Sequence, residues 1–331
     1  MGLAAIDRPA FGGHETFPLR YTWLRKALDG VTEDPQLFVR EDALVRLGVG
    51  KNMVRSMRHW GLAAGVLAEP EAHAERRAGF VETTNFGRAL LADDGWDPYL
   101  EDPGTLWILH WRIASTPSMA ATWFYVFGEF AERRFTRAGL VDRLLALAKE
   151  RKWPKVSQAS LKRDVDTFVR SYVPPSGARQ RHFEDQLDSP LAELGLITER
   201  EPGTYEIQRG PQPTLPDEVF AYALNEFLRR RGQTTAKPVR RGAPPAEAQL
   251  GLLGRDEAKT LPAERLHFEE GSPGRTFALD AAGLFSRLER LQDLTEGALS
   301  FDSTAGLSQV YVHNLLDPQK LLTRYYRGLT A

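Results

Sequence analysis

The chain has 331 residues, 42% of them hydrophobic and 26% charged, a balance that supports two or three domains with buried cores. It holds no cysteine, which excludes a disulfide framework, a zinc ribbon, an iron–sulfur cluster and thiol nucleophiles. The net charge of −1 averages two unlike blocks: thirteen Lys or Arg against four Asp or Glu from Arg133 to Arg181, and three basic against nine acidic residues from Gly65 to Thr105. Segregation of this kind points to a face for a polyanion.

Met1 to Pro9 have neither the basic start nor the apolar run of a signal peptide. No stretch approaches the roughly 18 apolar residues of a membrane span, so the expectation is a soluble, cytoplasmic protein without a membrane partner. A glycine pair, Gly12-Gly13, and Pro18 mark a loop around the motif GHETF (Gly13 to Phe17). Leu19 to Leu28 then reads as a helix with Tyr21, Leu24 and Leu28 on one side. A short helix from about Arg40 to Leu47, with Ala43, Leu44 and Leu47 inward, breaks at Gly48-Val49-Gly50. A second helix follows from Lys51 to Leu62, which together is the form of a helix–turn–helix. Gly65 to Leu67 and Gly79 to Thr84 are candidate wing strands, with EPEAHAERRA between them as the hairpin tip.

Asp97-Pro98 and Asp102-Pro103 mark turns. The acidic run Asp93, Asp94, Asp97, Glu101 and Asp102 reads as helix caps and a solvated loop rather than a hydrolase or metal site. Thr105 to Ile113 is apolar and aromatic, and Trp107, Leu109 and Trp111 beside His110 predict a buried, hydrogen-bonded histidine. Trp123 to Ala131 continues as a buried helix. A second module pairs helices Arg137 to Lys149 and Ser157 to Tyr172, the latter N-capped by Ser157 and ended by Pro174-Pro175. The segment FEDQLDSPLAELGLI reads as one or two helices, ITEREPGTYEIQRG as a hairpin turning at Pro202-Gly203, and Pro216 to Arg230 as a helix burying Phe220, Ala223, Leu224 and Phe227. Beyond the linker, PGRTFALD is strand-like, and Asp280 to Leu291 and Leu315 to Tyr326 are helical.

The fold class expected is mainly α (α+β): several winged-helix or helix–turn–helix modules with small β-hairpin wings. The expected division is an N-terminal domain at 1–131 with its helix–turn–helix at about 40–62, a second basic winged-helix-like region at 132–231, a flexible Gly/Pro-rich linker at 232–249, and a small C-terminal α/β domain at 250–331.

Lys51 to Leu62 is the strongest constellation. At 100° per residue Lys51, Arg55, Arg58 and His59 fall within about a third of the circumference, with Asn52 at the edge and Met53, Val54, Met57 and Trp60 on the other side. A recognition helix needs this division, one face packing on its own domain and the other meeting phosphates and base edges. The alternative is a solvated amphipathic helix. In the second module Lys155, Lys162, Arg163 and Arg170 are secondary phosphate contacts, although Arg163, Asp166 and Arg170 are also spaced for an intrahelical ion ladder. Within GHETF, His14 and Glu15, with Arg20 and Tyr21 downstream, could form an acid–base or metal pair, or else a structural cap beside Phe17, Tyr21 and Trp23. No Walker loop, dinucleotide fingerprint, GxSxG elbow or HExxH motif is present, and no second ligand cluster stands at metal spacing, so no cofactor, metal site or catalytic constellation is expected.

Phe11 to Lys26, Leu47 to Trp60 and Phe86 to Trp111, with weaker segments at Ser160 to Tyr172, DSPLAELGLI with TYEIQRG, SPGRTFAL and TAGLSQVY, resemble the bacterial domain-of-unknown-function family 4007. The linker reads as an insertion in that pattern. The family has no established activity. Its members are often encoded beside phosphoadenosine-phosphosulfate-reductase-like proteins and ATPases, in neighbourhoods that look like DNA phosphorothioation or phage-defence islands. The resemblance itself implies little chemistry; taken with the basic helix, the expectation is a non-enzymatic accessory protein that binds DNA, as a duplex, in such a system. The alternative is a protein-interaction adaptor docking a sulfur-transfer or ATPase partner through its winged-helix modules.

Overall fold

The structure, a computed structural model, describes residues 9–153, 156–174, 189–235, 259–304 and 306–329. Helices predominate, and three small antiparallel sheets accompany them. The chain divides into two units between Arg209 and Gly210. No helix among the described residues is long and apolar enough to cross a membrane.

The first unit begins with α1 (Tyr21–Glu33), which starts two residues later and runs five residues further than the pattern predicts. It buries Trp23, Leu24, Ala27, Leu28 and Val31, an i, i+1, i+4, i+5, i+8 stripe that packs on α3. The helix–turn–helix is present. Helix α2 (Ala43–Leu47) is shorter than expected and ends on Gly48, whose left-handed φ of 67° lets the chain reverse directly into α3 (Lys51–Ala63). Leu44 is more exposed than the pattern implies, at 38%.

The wing is smaller than expected. Strands β1 (Leu67–Ala68) and β2 (Glu82–Thr83) pair over two residues each. Between them α4 (His73–Arg77) replaces the hairpin tip, because Ala, Glu and Arg are strong helix formers and no glycine or proline interrupts them. Helix α5 (Asn85–Leu91) is capped by Thr84, whose Oγ1 accepts from the Gly87 amide at 2.9 Å and donates to the Gly65 carbonyl at 2.7 Å. Gly87 lies against the first wing strand so closely that a Cβ there would stand 2.3 Å from the Val66 carbonyl oxygen.

Helix α6 (Pro103–Ala114) is buried on nearly every side, as a helix without a polar face must be. Its N-terminus follows the predicted caps: Asp102 accepts from Thr105, and Asp97 accepts from the amides of Glu101 and Asp102 at 2.9 and 3.0 Å. His110 is fully buried and bonds the Tyr172 hydroxyl at 2.8 Å. The helix expected from Trp123 is instead α7 (Ala121–Phe124), widening into a π-helical turn over Tyr125–Glu129.

The second module places β3 (Arg134–Thr136) ahead of α8 (Arg137–Glu150) and α9 (Gln158–Tyr172), with a hairpin of β4 (Ile197–Glu201) and β5 (Thr204–Ile207) completing a sheet ordered β3-β5-β4. Ser157 caps α9 in a reciprocal box with Ser160. The segment before β4 forms a 3-10 turn over Pro190–Leu194, and residues 183–188 of the predicted helix lie outside the described residues.

The second unit contains α10 (Asp217–Thr235), β6 (Lys259–Pro262), α11 (Ala263–Phe268), α12 (Pro273–Thr276), α13 (Ala281–Glu289), α14 (Leu291–Leu294), β7 (Leu299–Thr304), β8 (Leu307–Val312) and α15 (Pro318–Leu329). The linker expected at 232–249 begins as helix, since α10 passes through Gly232 to Thr235, and 236–258 lie outside the described residues. Helix α10 packs on α15, tied by paired bonds of 2.9 Å between the Asn225 amide and the Leu316 backbone. That packing places α10 with the C-terminal elements rather than in a region ending at 231. The strand expected at PGRTFALD is helix α12, because Ser272 caps it and Pro273 opens its first turn. The three-stranded sheet β6-β8-β7 was not foreseen.

A Gly87→Ala substitution forces a methyl into the Val66 carbonyl. Thermal or urea unfolding is expected to show a loss of about 1–3 kcal/mol, whereas Gly50→Ala, with nothing within 4 Å of the added Cβ, leaves that packing untouched.

Candidate nucleic-acid interface

The motif GHETF is tied down by side-chain and backbone contacts along its length. Gly13 lies against the His59 ring, where a Cβ would meet Nδ1 at 2.5 Å. His14 is 1% exposed. Its Nδ1 faces the Thr16 amide at 3.1 Å; that amide can only donate, so Nδ1 accepts and the proton sits on Nε2. Nε2 in turn donates to Asp164 Oδ1 at 2.7 Å. Asp164, buried on α9, also accepts from the Gly12 amide at 2.6 Å and from the Thr122 hydroxyl at 2.5 Å. Glu15 and Thr16 both take left-handed backbone angles, φ 48° and 68°, uncommon without glycine and severe for a β-branched residue. The Phe17 carbonyl accepts from Trp60 Nε1 of α3 at 3.0 Å.

The loop therefore fastens α3 and α9 together. Arg55 of α3 pairs with Glu15 at 3.5 Å, and Arg170 of α9 donates to the Thr16 carbonyl. Two cations from the two candidate recognition helices thus reach consecutive residues of one loop.

The face of α3 divides more sharply than its sequence implies. Lys51, Asn52 and Arg55 are exposed, and Arg58 is half-buried in an ion pair with Glu69 at 2.9 Å. His59, expected on the basic face, is instead 6% exposed and packed edge-on against His14 and Trp60. Burial pushes its imidazole down to about 3. It cannot meet DNA as a surface cation. Among the described residues its Nε2 finds no hydrogen-bond partner, nor does the buried hydroxyl of Ser56.

On α9, Lys162, Arg163 and Arg170 are exposed, and Lys155 lies outside the described residues. The ion ladder does not form as drawn: Asp166 pairs with Arg137 of α8 at 3.3 Å. Among the described residues Lys51, Asn52, Lys162 and Arg163 engage no side-chain partner. Arg20 flanks the loop, and Tyr21 reaches toward the segment before β4. The Arg20 guanidinium lies over the Phe17 and Trp23 rings at 6.0 and 5.3 Å, and the Tyr21 hydroxyl donates to Glu193.

Sequence reasoning missed Asp164 and Thr122. Asp164 did carry a signal: it stands three residues after Leu161 and four before Phe168, on the apolar stripe of α9. A carboxylate at such a position needs buried donors.

The family model for proteins of unknown function, DUF4007, matches residues 11–241 and 246–326. The chain belongs to that family. Two crystal structures, one described as SspB and one as magnesium ion-bound SspB, resemble the DUF4007 chain at 31% identity with a TM-score of 0.79, covering 96% of this chain and 88% of theirs. No curated protein matches it.

Two outcomes follow for this DUF4007 protein. Asp164→Ala strips the partner from His14, the Gly12 amide and Thr122 at once, so equilibrium unfolding in urea is expected to show a loss of about 3–5 kcal/mol. His59 contributes a pH dependence. Between its unfolded pKa near 6.5 and its folded value of about 3, only the unfolded chain binds the proton, so stability falls as pH drops through that window. The expected loss from pH 7 to pH 5 is about 2 kcal/mol, and His59→Asn flattens that slope.

Proposed function

We propose that this protein binds duplex DNA through the α3 and α9 faces joined at the GHETF loop, as an accessory protein of a bacterial DNA-modification or phage-defence system. The observation that carries the reading is the meeting of Arg55 and Arg170 on consecutive loop residues, Glu15 and Thr16. Two helices, each with exposed cations beyond that meeting point, then offer one surface to a phosphate backbone. Lys51, Lys162 and Arg163 supply the charge, and Asn52 supplies an amide suited to an adenine edge. Membership of DUF4007 and the neighbourhoods its members share support the biological setting.

One of the similar crystal structures is described as magnesium ion-bound. Among the described residues of this chain no three His, Asp or Glu side chains are grouped to hold a metal ion. The proposal runs through the cationic side chains and the Asn52 amide.

A second reading, an adaptor for a protein partner, draws on Val39, Leu44 and Val45, which are 57%, 38% and 83% exposed around the first helix of the helix–turn–helix.

Fluorescence anisotropy of a labelled duplex, titrated at several salt concentrations, tests the proposal. The wild type is expected to bind with a steep loss of affinity on adding salt. Lys51→Ala, Lys162→Ala and Arg163→Ala combined are expected to weaken binding at least about tenfold and to flatten the log–log salt slope by about 0.9 for each phosphate no longer neutralised. Wild-type protein that ignores duplex DNA at low salt sinks the DNA reading, and capture of a protein partner through the Val45 surface then favours the adaptor.

A further inference from the structure

The sheet of the second module carries an arginine cluster that the motifs did not announce. Glu206 on β5 is buried, with only 7% of its side chain exposed. Its Oε1 faces Arg133 at 2.9 Å and Arg134 at 3.8 Å, and its Oε2 faces Arg200 at 2.6 Å. The register explains the gathering. Arg134 is the cross-strand partner of Glu206, and Thr198 stands opposite Glu206 on the other side. The irregular step between Glu199 and Glu201 leaves Arg200 within reach of the same carboxylate. The opposite sheet face is taken by Phe135, Tyr205 and Ile207, all buried.

One carboxylate does not neutralise three guanidiniums. The three arginine side chains are 55%, 68% and 52% exposed, so most of their donors face outward. A fourth, Arg209, is exposed nearby, and partial desolvation together with Arg133 holds its guanidinium below the usual arginine range. A purely structural role for the cluster explains Arg133 and Arg200 but not Arg134. Arg133 and Arg200 already satisfy the two oxygens of Glu206 at hydrogen-bond distance, and Arg134 at 3.8 Å adds little to them. Arg134 instead lines an open cleft of about 290 Å³ with Glu132, its ion-pair partner Arg143, Thr136 and Gly139. The last two belong to the N-terminal turn of α8, where the amide dipoles carry partial positive charge.

We infer that this cleft and the arginines around Glu206 form a second phosphate site, binding the phosphodiester backbone of a nucleic acid. The inference rests on the DNA-binding reading and extends it from the two helices to the sheet, which takes the part of a wing. Glu206 acts as a spacer that holds Arg133 and Arg200 in place. Arg134, the arginine least engaged with it, supplies a charge contact to phosphate oxygens. Such a contact positions the duplex and carries no base preference.

Arg134→Glu is the decisive variant, because Glu206 keeps both of its shorter partners. The control is Lys320→Glu, an exposed residue of the other unit with the same change of charge. In the anisotropy titration Arg134→Glu is expected to weaken duplex binding at least about tenfold and to reduce the salt slope by about one, while Lys320→Glu and Arg134→Lys stay within about threefold of wild type. Wild-type binding that Arg134→Glu leaves unchanged, or that Lys320→Glu weakens equally, overturns this site and leaves the helix surface standing. Absence of wild-type binding overturns both. Circular dichroism checks the fold; if Arg134→Glu unfolds, Arg134→Gln gives the same readout through the slope alone.

Discussion

The joining of α3 to α9 through the GHETF loop depends on one buried carboxylate. Asp164 has left water on the buried side of α9, and a carboxylate so placed is tolerable only when its lone pairs are filled. The Gly12 amide, His14 and the Thr122 hydroxyl fill them, drawn from the GHETF loop and from α7. The loop that carries two of these donors is bent into left-handed backbone at Glu15 and Thr16. Backbone of that kind persists when its surroundings over-determine it. Here the determinants are the His14–Asp164 bond, the Trp60–Phe17 bond and the packing of Gly13 on His59.

This arrangement assigns the GHETF residues a positioning role. His14 and Asp164 resemble an acid–base pair in composition. Both are shut away from solvent, however, and their hydrogen bonds are committed to backbone, to Thr122 and to each other. What the pair controls is the placement of α3 and α9 about a shared loop. The cations then sort by their commitments. Arg58, Arg137 and Arg170 hold parts of the fold together, whereas Lys51, Lys162 and Arg163 extend into solvent. The sheet repeats the same logic around Glu206, with one acidic residue organising several basic ones.

The second unit is built on a comparable device with an inverted charge. Arg287 is 5% exposed, and its guanidinium donates to the carbonyls of Pro211, Gly283, Gln212 and Leu215 at 2.8 to 3.0 Å. It closes the loop ahead of α10 onto α13. In each unit a buried ionic group ties together stretches far apart in the chain.

The amino-acid sequence by itself determined the local elements whose causes are local. The Gly48 turn, the Ser157 and Asp102 caps, the Pro202-Gly203 hairpin and the basic stripe on α3 follow from residues a few positions apart, and the family segments lie among them. It also predicted that His110 is buried and bonded. It misplaced His59, because angular position on a helix says which residues share a face and not where a second element will cover that face. The helix at PGRTFALD and the helical wing tip escaped a strand pattern that overlooks caps and propensities. Only the tertiary structure brought residue 14 to residue 164 and three arginines to Glu206. Those pairings span long separations along the chain or depend on strand register, and the spacing of the residues involved bears no trace of either.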